Sequence, residues 1–148
     1  MGEKYMAKIQ GFINSYNNFL ELKKEVQNMP KTNEILYLTF LSGCTKKFEL
    51  LFDQSWKALQ VFLVEYHGVV SFTKGSPRDV LKKAAELEII ADDAWLDMLL
   101  ERNRGTHVYK EICDLEDYVK KIFDVYDFVF KALCEKFLEH KAASKNPV

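Results

Sequence analysis

The chain has 148 residues, enough for one domain with a sizeable core and no covalent staples. A formal net charge of −1 excludes a diffuse basic field for nucleic acid, though a local basic cluster can still act over about one Debye length, ~8–10 Å. Eleven Phe, seven Tyr and two Trp need burial in a core or an interface.

The first periodic stretch carries Tyr5, Ile9, Phe12, Ile13, Tyr16, Phe19, Leu20 and Val26, an i, i+3/i+4 stripe that predicts a helix ending before Pro30. In the second, Leu41, Cys44, Phe48, Phe52, Ser55, Leu59, Phe62 and Tyr66 repeat in steps of three and four. This predicts one helix from about Asn33 to Tyr66, with Gly68 as the residue that turns the chain. Ser76-Pro77-Arg78-Asp79 is a helix start, with a capping hydroxyl, proline at the first helical position and an acid in the first turn. That short helix runs from Pro77 to Leu87. Asp92 and Asp93 open another, carrying Trp95, Met98, Leu99 and Arg102.

The last helix uses Leu115, Tyr118, Ile122, Val125, Val129, Leu133 and Phe137, with Phe123, Tyr126 and Phe130 beside that stripe. So broad an apolar face either fills a deep core or docks another subunit. Residues 141–148 read as a frayed tail. No segment alternates with period two. The fold class is therefore all-α, an antiparallel up-and-down bundle of four long helices plus a short one, in a single domain over 1–148.

Cys44, Cys113 and Cys134 are odd in number, far apart and set within apolar patterns, so they read as reduced core thiols. No apolar run approaches the ~20 residues of a membrane span. Met1-Gly2-Glu3-Lys4 lacks the apolar core of a signal peptide, which predicts a cytoplasmic location. His67, His107 and His140 are scattered, with no metal-site spacing, and neither a metal nor a cofactor is expected.

The chemistry concentrates in Arg102-Asn103-Arg104-Gly105-Thr106-His107-Val108-Tyr109. Arg102 and Arg104 carry planar donor forks suited to phosphate, and His107 has an ordinary pKa near ~6.5 for moving a proton at neutral pH. On an unbroken helix Asn103 sits beside His107, while Arg102 and His107 point apart. Gly105 supplies a break that lets the two meet, because glycine costs ~1 kcal/mol inside a helix and readily ends one. Spacing alone also fits a plainer role, in which these cations answer the helix dipole.

Phe48-Glu49-Leu50, Ser55-Trp56-Lys57-Ala58-Leu59, Ser76-Pro77-Arg78, Trp95-Leu96-Asp97-Met98 and Arg102-Asn103 through His107-Val108-Tyr109 occur in one order. In that order they resemble the nucleotidyltransferase substrate-binding protein family, a branch of the HEPN superfamily close to HepT toxins. The resemblance runs from about Phe48 to Phe137. It implies a bundle that forms a homodimer and a separate minimal nucleotidyltransferase encoded nearby as partner. In HepT-like members the Arg-x4-His-x-Tyr signature is associated with metal-independent RNA cleavage. By that resemblance Arg102 and His107 are catalytic, Asn103 orients the substrate in the site, and Tyr109 receives AMP from the transferase, which silences the toxin; Arg104, where the chain departs from its relatives, adds charge for binding the RNA substrate. The family name implies an alternative, a non-catalytic substrate-binding subunit of a two-component nucleotidyltransferase. Relatives commonly have leucine-threonine-serine where this chain has Arg104, Gly105 and Thr106, and often glycine where it has Glu88.

Overall fold

The computed structural model describes residues 3–69, 75–104 and 112–145. Helix α1 (Glu3–Gln27) buries the stripe Tyr5, Ile9, Phe12, Ile13, Tyr16 and Phe19. The chain turns at Pro30 and re-enters a helix at Asn33, whose Oδ1 accepts from the Leu36 N–H at 3.1 Å. Helix α2 (Glu34–Glu65) is the longest, and Leu41, Cys44, Phe48, Phe52, Ser55, Leu59 and Phe62 all face inward along it. Ser55 is tolerated in that row because its hydroxyl donates to the Phe52 carbonyl at 2.6 Å. Gly68 adopts φ +68° beyond the end of α2, the left-handed conformation glycine accommodates without strain.

Helix α3 (Pro77–Glu86) starts on Ser76, whose Oγ accepts from the Asp79 N–H at 3.2 Å. It ends in a Schellman motif: Ile89 N donates to Ala84 O and Glu88 N to Ala85 O, both at 2.9 Å. The left-handed residue of that motif is Glu88, at φ +60°. Glu88 thus stands at a position whose backbone favours glycine. Helix α4 (Asp92–Arg104) buries Trp95, Met98 and Leu99. Helices α5 (Ile112–Lys121) and α6 (Asp127–Lys145) form one rod joined by a π turn over Ile122–Tyr126.

The result is an all-α bundle of antiparallel helices, with no strand among the described residues. Helix α2 is central, packing on α1, α3, α4 and α5, while α1 also meets α6. Aromatic rings fill the interior. Phe48 stacks on Tyr126 at 5.3 Å between centroids and meets Tyr118 edge-on at 5.9 Å, and Trp95 lies perpendicular to Phe130 at 5.8 Å.

The π turn corrects part of the pattern expected for the last helix. An extra residue in the turn shifts the inward register, so Tyr126 and Phe130 are fully buried while Val125 is 47% exposed. Of the two roles open to Phe123, Tyr126 and Phe130, the structure assigns the core. The exposed ring on this rod is Phe128, at 70%. Helix α6 runs through Lys145, and Lys141 Nζ donates to Gln10 Oε1 at 3.1 Å; residues 146–148 of the expected tail lie outside the described residues. Cys44 and Cys134 are buried free thiols, and burial pushes Cys44 up to about 12. No helix among the described residues is long and apolar enough to cross a membrane.

Candidate functional site

The last turn of α4 brings three candidate residues to the surface in different directions, as a 3.6-residue period requires. Arg102 turns toward α2. Its Nε donates to Asp53 Oδ1 at 3.1 Å and its Nη2 to Asp53 Oδ2 at 3.0 Å, a two-point fork between side chains about one-third exposed. The hydrogen bonds it donates to Asp53 hold the guanidinium pKa above its ordinary value, with Glu49 adding to the same effect. The pair fixes the plane of the guanidinium, and Nη1 takes no part in it. Asn103 and Arg104 point outward, Arg104 Nη1 lying 3.6 Å from Glu101 Oε1.

Arg102, Asn103 and Arg104 therefore do not converge within the described residues. Gly105, His107 and Tyr109 lie outside those residues, so the pairing of Arg102 with His107 and the break at Gly105 do too. The α4 helix is described up to Arg104, the residue before Gly105.

Asp53 is the residue that sequence reasoning missed. Its partner is 49 positions away, beyond any local pattern. One signal was present: Glu49 and Asp53 are like charges four apart on one helix face, an unfavourable pair unless a cation stands opposite. Lys46 answers Glu49 at 3.3 Å within α2, and Arg102 answers Asp53 from α4.

A second polar node lies between α4 and the π turn. Asp97 Oδ2 accepts from the Tyr126 hydroxyl at 2.6 Å and lies 2.9 Å from Lys121 Nζ. Burial alone raises the Asp97 pKa, but the hydrogen bonds from Tyr126 and Lys121 outweigh it and leave the carboxyl below its usual range. Burial, then Asp97, push the Tyr126 phenol upward, so it stays a donor. On the other side of the turn, Asp127 accepts from the Tyr16 hydroxyl and from Lys23 Nζ, each at 2.7 Å. Lys23 also donates to the Phe123 carbonyl at 3.1 Å, which lies in the π turn. These nodes pin the last rod against α1 and α4. Among the described residues no group of three His, Cys, Asp or Glu side chains is placed to hold a metal ion.

Residues 7–140 match the family model described as nucleotidyltransferase substrate binding protein like. The chain belongs to that family. The match runs from within α1 to within α6 and includes Asp53 and the whole Arg102–Tyr109 segment, and the family name implies association with a nucleotidyltransferase. No curated protein matches the chain.

Proposed function

We propose that this nucleotidyltransferase substrate-binding family member is a HepT-like HEPN component of a two-gene system, acting as a metal-independent ribonuclease toxin. The observation that carries this reading is the orientation of Arg102. A guanidinium held by Asp53 at the end of α4 keeps its plane fixed while Nη1 remains the edge for a phosphate oxygen. His107, five residues on, takes the proton of a ribose 2′-hydroxyl. The 2′-oxygen forms a bond to phosphorus, the bond from phosphorus to the 5′-oxygen breaks, and a proton delivered to that oxygen completes a 2′,3′-cyclic phosphate and a free 5′-hydroxyl. Asn103 and Arg104, outward-facing beside Arg102, hold the RNA chain. In a homodimer two such segments share one cleft. Phe128, beside a groove of about 590 Å³ between the α3–α4 connection and α6, is the exposed apolar surface offered to a second subunit.

A partner nucleotidyltransferase silences the toxin by moving AMP to the Tyr109 phenol. The modification adds bulk and negative charge two residues from His107 and so repels RNA. Purified, unmodified protein is expected to cleave RNA in EDTA, and His107→Ala to lose that cleavage. RNA left intact by the wild type under those conditions rejects the ribonuclease.

A second reading, a non-catalytic substrate-binding subunit of the two-component nucleotidyltransferase, is favoured by the same fork. Two of the three guanidinium nitrogens of Arg102 are already committed to Asp53. Intact mass after co-expression with the transferase separates the two: AMP on Tyr109 favours the toxin, and a stable complex of unmodified chains favours the passive subunit.

A further inference from the structure

Asp124, Phe128, Ala132 and Lys136 follow one another along the last rod in steps of four, a spacing that keeps them on one flank. The π turn, wider than an α turn, holds Asp124 in line below Phe128. The flank is outward-facing. Phe128 is 70% exposed, Asp124 and Ala132 are exposed, and Val125, beside them, widens the apolar strip. Lys136 is half-buried, and its Nζ donates to the Glu88 carbonyl at 3.1 Å, which leaves the ammonium two further protons to donate.

Next to this flank runs the groove of about 590 Å³ between the α3–α4 connection and α6. Buried Trp95 and Leu133 line it, together with four alanines, Ala85, Ala91, Ala94 and Ala132. Methyl side chains leave hollow space that larger residues would occupy. A bulky ring thus stands in solvent at the edge of a hollow it does not fill, and an apolar surface of this kind marks a contact site.

The order of residues along the flank identifies the occupant. Phe128 and Ala132 lie at equal distances on either side of residue 130, and so do Asp124 and Lys136. A twofold axis at that level, running across an antiparallel pair of α6 helices, sets a ring against a methyl and a carboxylate against an ammonium, each twice. The same register places Lys131 opposite Val129 and Glu135 opposite Val125, so no like charges meet. Such self-complementarity is what an isologous interface requires, and a foreign helix or an acyl chain would call for none of it.

We propose that a second copy of this chain docks antiparallel on this flank. Phe128 of each copy enters the groove of the other above Ala132, and Asp124 of each pairs with Lys136 of the other. The inference deepens the homodimer of the proposed function and rests on that reading for the presence of a second subunit. It fixes which surfaces meet, and it holds whether or not the chain cleaves RNA.

Sedimentation velocity of the full chain at tens of micromolar tests the pairing. Wild type should sediment as a dimer. Phe128→Asp, at an exposed position, should keep the wild-type Tm and sediment as a monomer. Asp124→Lys and Lys136→Asp should each weaken the dimer at least tenfold, because each sets like charges face to face at both ends of the pair. Mixed in equal amounts, these two variants should recover a dimer of one chain of each, since both contacts then join opposite charges. A wild-type dimer that survives Phe128→Asp, or a mixture no tighter than its components, overturns this interface and leaves the homodimer to another surface. A monomeric wild type overturns both. RNA cleavage in EDTA, followed on the same samples, judges the ribonuclease separately.

Discussion

The two faces of α2 treat polar groups in opposite ways. At the α4 end, Asp53 is met by both donors of the Arg102 fork. One residue along, on the α1 side, Gln54 Oε1 is buried with no partner and Gly11 opens the helix opposite it. The first region is complete within the chain: its charges hold one another and fix the arginine in place. The second is incomplete: a closed-in acceptor goes unanswered.

Breaking the complete side should have the largest effect on stability. Asp53→Ala strands a guanidinium that is about one-third exposed, so the loss is about 1–2 kcal/mol once solvent screening is allowed for. For a chain of this size that is a fall in Tm of roughly 2–8 °C in thermal denaturation. An unchanged Tm would mean the fork contributes orientation alone. On the incomplete side the sign reverses. Gln54→Leu removes an unsatisfied acceptor at nearly constant volume and should stabilise by about 1 kcal/mol in urea titration. A destabilised variant would show that the amide is satisfied in solution.

Glu88 sharpens the contrast, because it too is costly yet lines no part of the α1/α2 groove. Its left-handed backbone is a local strain, and Glu88→Gly should stabilise by ~0.5–1 kcal/mol in the same titration. A neutral or destabilising result would show that contacts of the glutamate side chain offset the strain.

The smallest expected effect is on pH dependence, at the far end of the bundle. The His140 ring lies edge-on to Tyr66 at 4.6 Å, and its pKa is lowered by burial first and then by His67 and Lys136, with Glu139 opposing. A histidine with a depressed folded pKa stabilises above its unfolded value, near ~6.5, and that stability is lost as pH falls through the folded pKa. Tm should therefore decline as pH drops below about 6.5, well above the range in which Asp97 titrates. His140→Phe, which keeps a ring against Phe62 and Tyr66, should flatten that decline; an unaltered slope would assign it elsewhere.

Much of the bundle was legible because its signals are local. Asn33, Gly68 and Ser76 mark helix boundaries through their own side chains or backbone freedom, and the α2 stripe needs only a 3.6-residue period. The π turn was not legible, since a single inserted residue moves Tyr126 inward and Val125 outward without changing composition. Of the candidate site, the residue types at Arg102 and Arg104 could be read from sequence. The Asp53 partner could not, because it depends on how α2 and α4 cross, although the Glu49–Asp53 repulsion hinted that a cation was needed. The groove at Gly11 and Gln54 is likewise a property of two helices together, invisible in either alone.

The proposed ribonuclease cleaves RNA with His107 and with an Arg102 held by Asp53. Single-turnover cleavage of a labelled RNA in EDTA, with product ends identified by mass, tests it most directly. Wild type should yield 2′,3′-cyclic phosphate ends, His107→Ala none, and Asp53→Asn at least tenfold less, because an unanchored arginine no longer presents a fixed edge. Intact RNA with unmodified wild type, or undiminished cleavage by His107→Ala, would contradict the account.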